Sequence, residues 1–287
     1  MPLRRRFTVP LPGGGNLALG DRTLIMGVVN VTPDSFSDGG RLFDPANAIA
    51  AGVQMAEEGA DLIDVGGEST RPGAEPLDEA EERRRVVPVI EGLTARVRIP
   101  VSVDTYKAST AAAALEAGAS LVNDISGLRY DPALAEVVAR RGVPIVLMHT
   151  RGRSRQMYEQ ASYYDVVAEV LDELRESMAF ATTAGIAAES IMLDPGLGFA
   201  KDAVHSYEAL ARLDEFAEIG RPLLVGPSRK SFLARPLGSV PPSDRDWATA
   251  AAVASAVLAG AHIVRVHAVR EMLQVARVAD EIRRYHS

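Results

Sequence analysis

Eight short runs rich in β-branched and aliphatic residues, LIMGVV, DLIDV, PVSVD, SLVND, PIVLM, IMLD, PLLVG and HIVRV, recur down this 287-residue chain. Helical patterns separate them, among them DPANAIAAGVQMAEEG, YKASTAAAALEAG, DPALAEVVARRG and YDVVAEVLDELRESMAFATTAG. Several of these end in the glycine expected just past a helix C-terminus. Asp44-Pro45 and Asp131-Pro132 have the form of an N-cap followed by proline at the first helical position. Strands that are apolar throughout, rather than alternating, belong to a parallel sheet covered on both faces. Eight strand-loop-helix units in about 260 residues predict an α/β chain folded as a (β/α)8 TIM barrel, for which about 250 residues is typical. An open doubly wound sheet is the alternative, but no Gly-rich dinucleotide fingerprint follows the first run. The GGG at residues 13 to 15 precedes that run and reads as a hairpin turn, so residues 1–22 are expected to be a short N-terminal arm and 23–285 the barrel of a single domain.

Composition narrows the function. A net charge of -7 argues against wholesale nucleic-acid binding, which needs a basic face. An anionic ligand would have to be held by a local cluster of donors. The absence of cysteine excludes disulfides, thiolate metal sites and thiol nucleophiles, and fits a reducing compartment. Three arginines near the N-terminus are followed by prolines and glycines where a signal peptide would carry its apolar core, so a cytoplasmic location is expected. Residues 248 to 264 carry no charge, but they are mostly alanine, interrupted by Gly260 and His262, and read as buried helix running into buried strand.

Active sites of such barrels lie at the C-terminal ends of the strands. Those ends read, in order, Asn30, Asp64 with Glu68, Asp104, Asn123-Asp124, His149, Asp194, Ser228 with Lys230, and Arg265 with His267. Helix capping could explain any one of Asp104, Asn123 or Asp124. It does not explain Lys230, Arg265 or His267, and eight loaded ends together point to a pocket. Acceptors (Asp104, Asn123, Asp194) stand against cations and donors (Lys230, Arg265, His267, Asn30). A carboxylate at a buried strand end suits a heterocycle with adjacent N–H donors, and the cations suit phosphate or diphosphate. GPSRKSFLARPL predicts a helix starting after Lys230, whose first amides near Ser231 could bind an anion. His149 and His262 read as packed histidines and His205 and His286 as surface ones. Two long loops, residues 30 to 43 and 66 to 77, carry glycines and polar side chains and read as lids over the barrel mouth.

The stretches GVVNVTPDSFSDGG, DVGGESTRPGA, VSVDTYKA, LVNDISG, VLMH, LDPGLGFAK, LVGPSRKSF and RVHAV fall in one order across residues 26 to 269. Taken together they resemble the dihydropteroate synthase family of pterin-binding enzymes, the folate-pathway transferases that sulfonamides inhibit. The resemblance implies a (β/α)8 barrel, generally a homodimer, that joins 6-hydroxymethyl-7,8-dihydropterin diphosphate to p-aminobenzoate and releases diphosphate. By motif it implies that Asp104, Asn123, Asp194, Lys230 and Arg265 hold the pterin, and that Asn30, Arg265 and His267 hold the diphosphate with its Mg²⁺, Asn30 as the metal ligand. Thr70, Arg71, Pro72, Phe199 and Ser231 would form the aminobenzoate side, with Asp34 and Phe36 on the first lid. Lys230, Arg265, His267 and Asp34 would carry the catalysis, a dissociative substitution in which charge stabilisation matters more than a strong base.

The sequence departs from the family at RVHAV, where Asp usually follows His. Ala268 therefore removes a carboxylate, and His267 is expected to be less firmly oriented if that group was its partner. Two other functions remain in view. A methyltransferase passing a methyl group from methyltetrahydrofolate to a corrinoid shares the fold and pterin pocket but has no use for SRK beside RVH. A paralogue that binds pterin without condensing it is made conceivable by Ala268.

Overall fold

A computed structural model of the chain describes residues 4–32, 44–70, 73–153 and 157–285. The eight apolar runs become strands β3 (Leu24–Asn30), β4 (Leu62–Gly66), β5 (Val101–Asp104), β6 (Leu121–Asp124), β7 (Ile145–Met148), β8 (Ile191–Asp194), β9 (Leu224–Val225) and β10 (Ile263–Val266). All pair in parallel, in the order β8-β7-β6-β5-β4-β3-β10-β9. The two ends meet through a parallel bridge between Leu193 and Leu223, where the Leu193 N–H donates to the Pro222 carbonyl at 2.9 Å, so the sheet closes into a barrel. The outer layer is α1 (Pro45–Glu57), α2 (Glu79–Thr94), α3 (Ala108–Glu116), α4 (Ala133–Arg141), α5 (Val166–Thr183), α6 (Ala203–Ala211), α7 (Asp246–Leu258) and α8 (Val269–Arg284).

Strand parity sorts the side chains. Ile25, Ile63, Val65, Val101, Val103, Val122, Ile145, Leu147, Ile191, Leu193, Val225 and Val264 pack outward with the helices in one large apolar cluster. Met26, Leu62, Leu121, Val146, Met192, Leu224 and Ile263 form a separate inner cluster. A side chain two residues further along each strand faces the same way. Inward positions above this apolar layer are Asp64, Asn123, Met148, Asp194 and Arg265, and the barrel changes from apolar to polar within one repeat of the pleat.

The lower end is plugged by an antiparallel hairpin of β1 (Phe7–Pro10) and β2 (Asn16–Leu19), turned through Pro12–Gly14. Val9, Leu17 and Leu19 complete the inner apolar cluster. Arg4 anchors the arm by donating to Asp280 at 2.7 Å, to Thr23 Oγ1 and to the Ala261 carbonyl. Residues 248 to 264 run from α7 through Gly260, at φ +107°, into β10, as their composition suggested. No described helix is long and apolar enough to cross a membrane.

Local signals explain most helix starts. The carboxylates of Asp44, Asp78, Asp165 and Asp202 accept from the first amides of α1, α2, α5 and α6. Asp131 differs from its expected role, because Pro132 occupies the cap position of α4. Its carboxylate still accepts from Ala133 N–H at 3.2 Å, and it also accepts from Ala108 N–H at the start of α3 at 2.8 Å.

Candidate active site

Three groups of contacts occupy the upper rim. In the first, Arg265 donates from Nε to Asp64 and from Nη2 to Asp104, each at 2.6 Å, while Asn123 Nδ2 donates to the same Asp64 oxygen at 2.9 Å. The strands place these residues side by side, because Asp64 and Asp104 alternate with outward valines and Asp104 pairs with Asn123 across β5 and β6. Space for Asp104 comes from Gly66, its register partner, where a Cβ would stand only 3.3 Å from the carboxylate. Burial pushes the Asp104 carboxyl up to about 7 against the opposing pull of Arg265, and the Asp64 charge adds to the rise.

The second group centres on Lys230. Its ammonium donates to the Leu197 carbonyl and lies 4.2 Å from the centroid of the Phe199 ring. Burial lowers it to about 8, opposed by Asp194 and reinforced by Arg265. Asp194, buried at the end of β8, accepts from Gly196 N–H at 2.7 Å, and burial raises its carboxyl. Ile125, Met148 and Tyr106 pack together between these groups with Phe199 and Tyr130 at their edge, which puts an apolar wall beside the acceptors.

In the third group, the His267 ring approaches Ser228 Oγ at 2.9 Å through Nδ1, and its Nε2 is 3.5 Å from Asn30 Nδ2. Ser228 Oγ also accepts from the His267 backbone N–H at 3.2 Å. Ala268 occupies the cap position of α8 and makes no side-chain cap. In this chain a serine from the β9 loop contacts the histidine ring, and no side chain caps the start of α8.

Asn30, Asp104, Asn123, Asp194, Lys230, Arg265 and His267 thus stand at one rim, with Phe199 under the lysine. Thr70 is partly exposed in the loop after β4. Asp34, Phe36, Arg71 and Pro72, and most of the first lid, lie outside the described residues. Ser231 is exposed and starts a four-residue 3-10 turn, Ser231–Ala234, in place of the longer helix expected there. Pro236 stands too close for an α-helix to develop. Asp124 proves to be a turn-capping residue, accepting from Ser126 N–H, Ser126 Oγ–H and Leu128 N–H. The expected separation into anionic and cationic halves is also revised, because Arg265 sits between two acceptors. A half-buried guanidinium and two carboxylates compensate one another there.

Sequence reasoning undervalued Asp64, which is fully buried and touches both Arg265 and Asn123. Its signal was available: in DLIDV it shares parity with inward Leu62. Ser228 and Glu68 were noticed at strand ends but given no role. Glu68 accepts from Lys107 at 2.5 Å, from the Tyr106 hydroxyl at 3.1 Å and from Leu77 N–H at 3.1 Å, which ties the base of the second lid to β5.

Residues 26–267 match the family described as pterin binding enzyme. Dihydropteroate synthase of Synechocystis sp. is 44% identical over 96% of this chain and 96% of the relative. That of Mycobacterium leprae is 49% identical over 88% and 91%. Among solved structures, Yersinia pestis dihydropteroate synthase in a sulfonamide drug complex superposes with a TM-score of 0.91 at 40% identity, covering 97% of this chain and 100% of the other. The Xanthomonas albilineans enzyme with 4-aminobenzoic acid gives a TM-score of 0.88 at 43% identity, covering 96% and 98%.

Proposed function

This chain belongs to the dihydropteroate synthases within the pterin-binding enzyme family, and from that premise we propose how its rim residues divide the work of the reaction. The activity is that of a folate-biosynthesis transferase, joining a dihydropterin diphosphate to p-aminobenzoate with loss of diphosphate. In this reading Asp104, Asn123 and Asp194 accept the N–H donors of the pterin edge, and Lys230 donates to it. Ile125 and Met148 supply the apolar face against which a flat ring stacks. The observation that carries the reading is the Asp64–Arg265–Asp104–Asn123 cluster standing beside Lys230 and Asp194 at one strand-end rim.

Breaking the pterin C–O bond leaves positive charge on the ring system and negative charge on diphosphate. Asp104 and Asp194 sit where the first is stabilised, and Arg265 and His267 where the second is. The arylamine would then attack the methylene carbon from the side assigned to Phe199, Thr70 and Ser231, a side to which the family resemblance also assigns Arg71, Pro72, Asp34 and Phe36. Sulfonamides, as arylamine analogues, would occupy the same side.

The donor set suits Mg²⁺ held chiefly by diphosphate oxygens and waters. No group of three or more His, Cys, Asp or Glu able to cage a metal occurs among the described residues, and Asn30 offers one hard amide oxygen with its Nδ2 turned to His267. Asn30 would hold the ion, which supplies Lewis-acid neutralisation of the leaving group. Exposed Trp247, Leu237, Val278 and Ile282 support assembly as a homodimer, and the cysteine-free composition supports a cytoplasmic location.

The test mixes purified protein, Mg²⁺, the pterin diphosphate and labelled p-aminobenzoate. Dihydropteroate should form, and Lys230→Ala and Arg265→Ala should each lower kcat/KM by about a hundredfold or more, as loss of a charged group at a reacting centre does. Robust turnover in both variants would refute the assignment. No turnover in the wild type would favour the non-catalytic paralogue.

A further inference from the structure

Lys201 is among the largest fully buried side chains of the described residues, and the reaction as assigned above makes no use of it. Its Nζ donates to His149 Nδ1 at 2.8 Å, to the Phe199 carbonyl at 3.1 Å and to the Gly196 carbonyl at 3.2 Å. Three acceptors match the three N–H groups of an ammonium, yet none of them is a carboxylate. A surface lysine would be cheaper for a merely stable fold, because burial draws the group well below its usual range, with Asp194 opposing.

The turn that Lys201 underlies is unusual in how its carbonyls are held. Gly196, Gly198 and Ala200 all have positive φ, at +68°, +77° and +47°, so successive peptide planes flip. For Ala200 this conformation costs about 1–2 kcal/mol. Each carbonyl from 196 to 200 accepts from a side chain. Gly196 and Phe199 turn theirs to Lys201, Leu197 to Lys230, Gly198 to the Tyr158 hydroxyl and Ala200 to the Tyr163 hydroxyl. Two lysines therefore grip opposite sides of one strained turn, one from inside the protein and one from the active-site rim. In this shape the turn holds the Phe199 ring 4.2 Å from Lys230 Nζ.

Behind Lys201 the contacts continue outward. Burial and the charge of Lys201 hold His149 down to about 3, so the ring is neutral, accepting from Lys201 at Nδ1 and donating through Nε2 to Glu173 at 3.1 Å. Glu173 is held in turn by Arg151 and Arg129. The histidine's tautomer is thereby set, and with it the direction of the Lys201 N–H.

We propose that Lys201 is a positioning residue for the condensation, fixing residues 196–199 from below so that the Phe199 ring is held in place on the aminobenzoate side, beside the pterin-binding Lys230. This rests on the substrate assignment given above, and it predicts an effect on the second substrate beyond any effect on folding.

The experiment compares the wild type with Lys201→Met and Lys201→Gln in steady-state kinetics for both substrates, with pterin binding and Tm measured alongside. Lys201→Met should raise KM for p-aminobenzoate by about tenfold or more and lower kcat severalfold, with a clearly smaller rise in KM for the pterin diphosphate. Lys201→Gln, which keeps an N–H donor, should recover part of the loss. Lowered Tm with unchanged kinetic constants, or equal rises in both KM values, would overturn the proposal. Loss of pterin binding in both variants would assign the lysine to the fold and overturn it as well. A wild type that forms no dihydropteroate would instead bring down the substrate assignment, and the proposal with it.

Discussion

Asp104 and Lys230 carry the titration that matters at the scale of single residues. Asp104 is raised to about 7 and Lys230 lowered to about 8, so the ion pattern assumed for pterin binding, carboxylate with ammonium, is fullest between them. We expect kcat/KM for the pterin diphosphate to fall below about pH 7 as Asp104 gains a proton and above about pH 8 as Lys230 loses one. In Asp104→Asn the acidic limb should vanish while the basic limb stays; an acidic limb unchanged in that variant would assign it elsewhere. Asp64 is the other test at this scale. Its carboxylate fixes both the Arg265 guanidinium and the amide orientation of Asn123. Asp64→Ala should therefore weaken pterin binding by about 2 kcal/mol or more in calorimetry, although Asp64 is not among the residues assigned to touch the ligand. Binding within a factor of two of wild type would show that Asp104 alone suffices to orient Arg265.

At the scale of elements, α8 begins without a capping side chain because Ala268 stands where four other helices have Asp. Ala268→Asp should stabilise the protein by about 1 kcal/mol, read as a higher urea midpoint at unchanged m-value. It should leave turnover nearly untouched, because Ser228 already orients His267. A large gain in kcat would restore the carboxylate to a catalytic role. The elements themselves were legible in the sequence to different degrees. All eight barrel strands were visible as apolar runs, since a strand buried on both faces needs no alternation and is short. The acceptors Asp104, Asn123 and Asp194 were visible because each closes such a run. The 3-10 turn after Lys230 was not, because periodicity alone cannot tell one helical turn from the start of a longer helix, and only Pro236 stops it. The Lys201–His149–Glu173 chain was invisible for another reason: it joins β7, α5 and the loop after β8, and contacts between distant segments leave no local pattern.

The whole molecule is held closed at its lower end by the N-terminal arm. Arg4 and Asp280 form a buried pair linking residues near the two ends of the chain, and Asp280 also accepts from Thr23 N–H and Oγ1. Asp280→Ala leaves Arg4 buried without its counter-charge and should cost about 3–5 kcal/mol in chemical denaturation. His262 gives the same closure a pH dependence. Its Nδ1 accepts from Leu223 N–H and its Nε2 donates to the Arg5 carbonyl, and burial lowers it to about 4 from an ordinary 6.5. The unfolded chain binds this proton more readily than the folded one, so the stabilisation is complete above about pH 6.5 and is lost as pH falls toward 4. Tm should drop over that interval, less steeply in His262→Gln. A flat profile from pH 7 to 5 would show that neither buried histidine, His262 or His149, is linked to folding.

The central claim is that strand ends from around the whole barrel converge on one pterin site. A crystal structure with 7,8-dihydropteroate bound tests it most directly. The account predicts the pterin edge within hydrogen-bonding distance of Asp104, Asn123, Asp194 and Lys230, its ring against Ile125 and Met148, and the aminobenzoyl group beside Phe199. A pterin seated elsewhere, or bound at the rim with its amino-pyrimidinone edge facing away from those three acceptors, would contradict it.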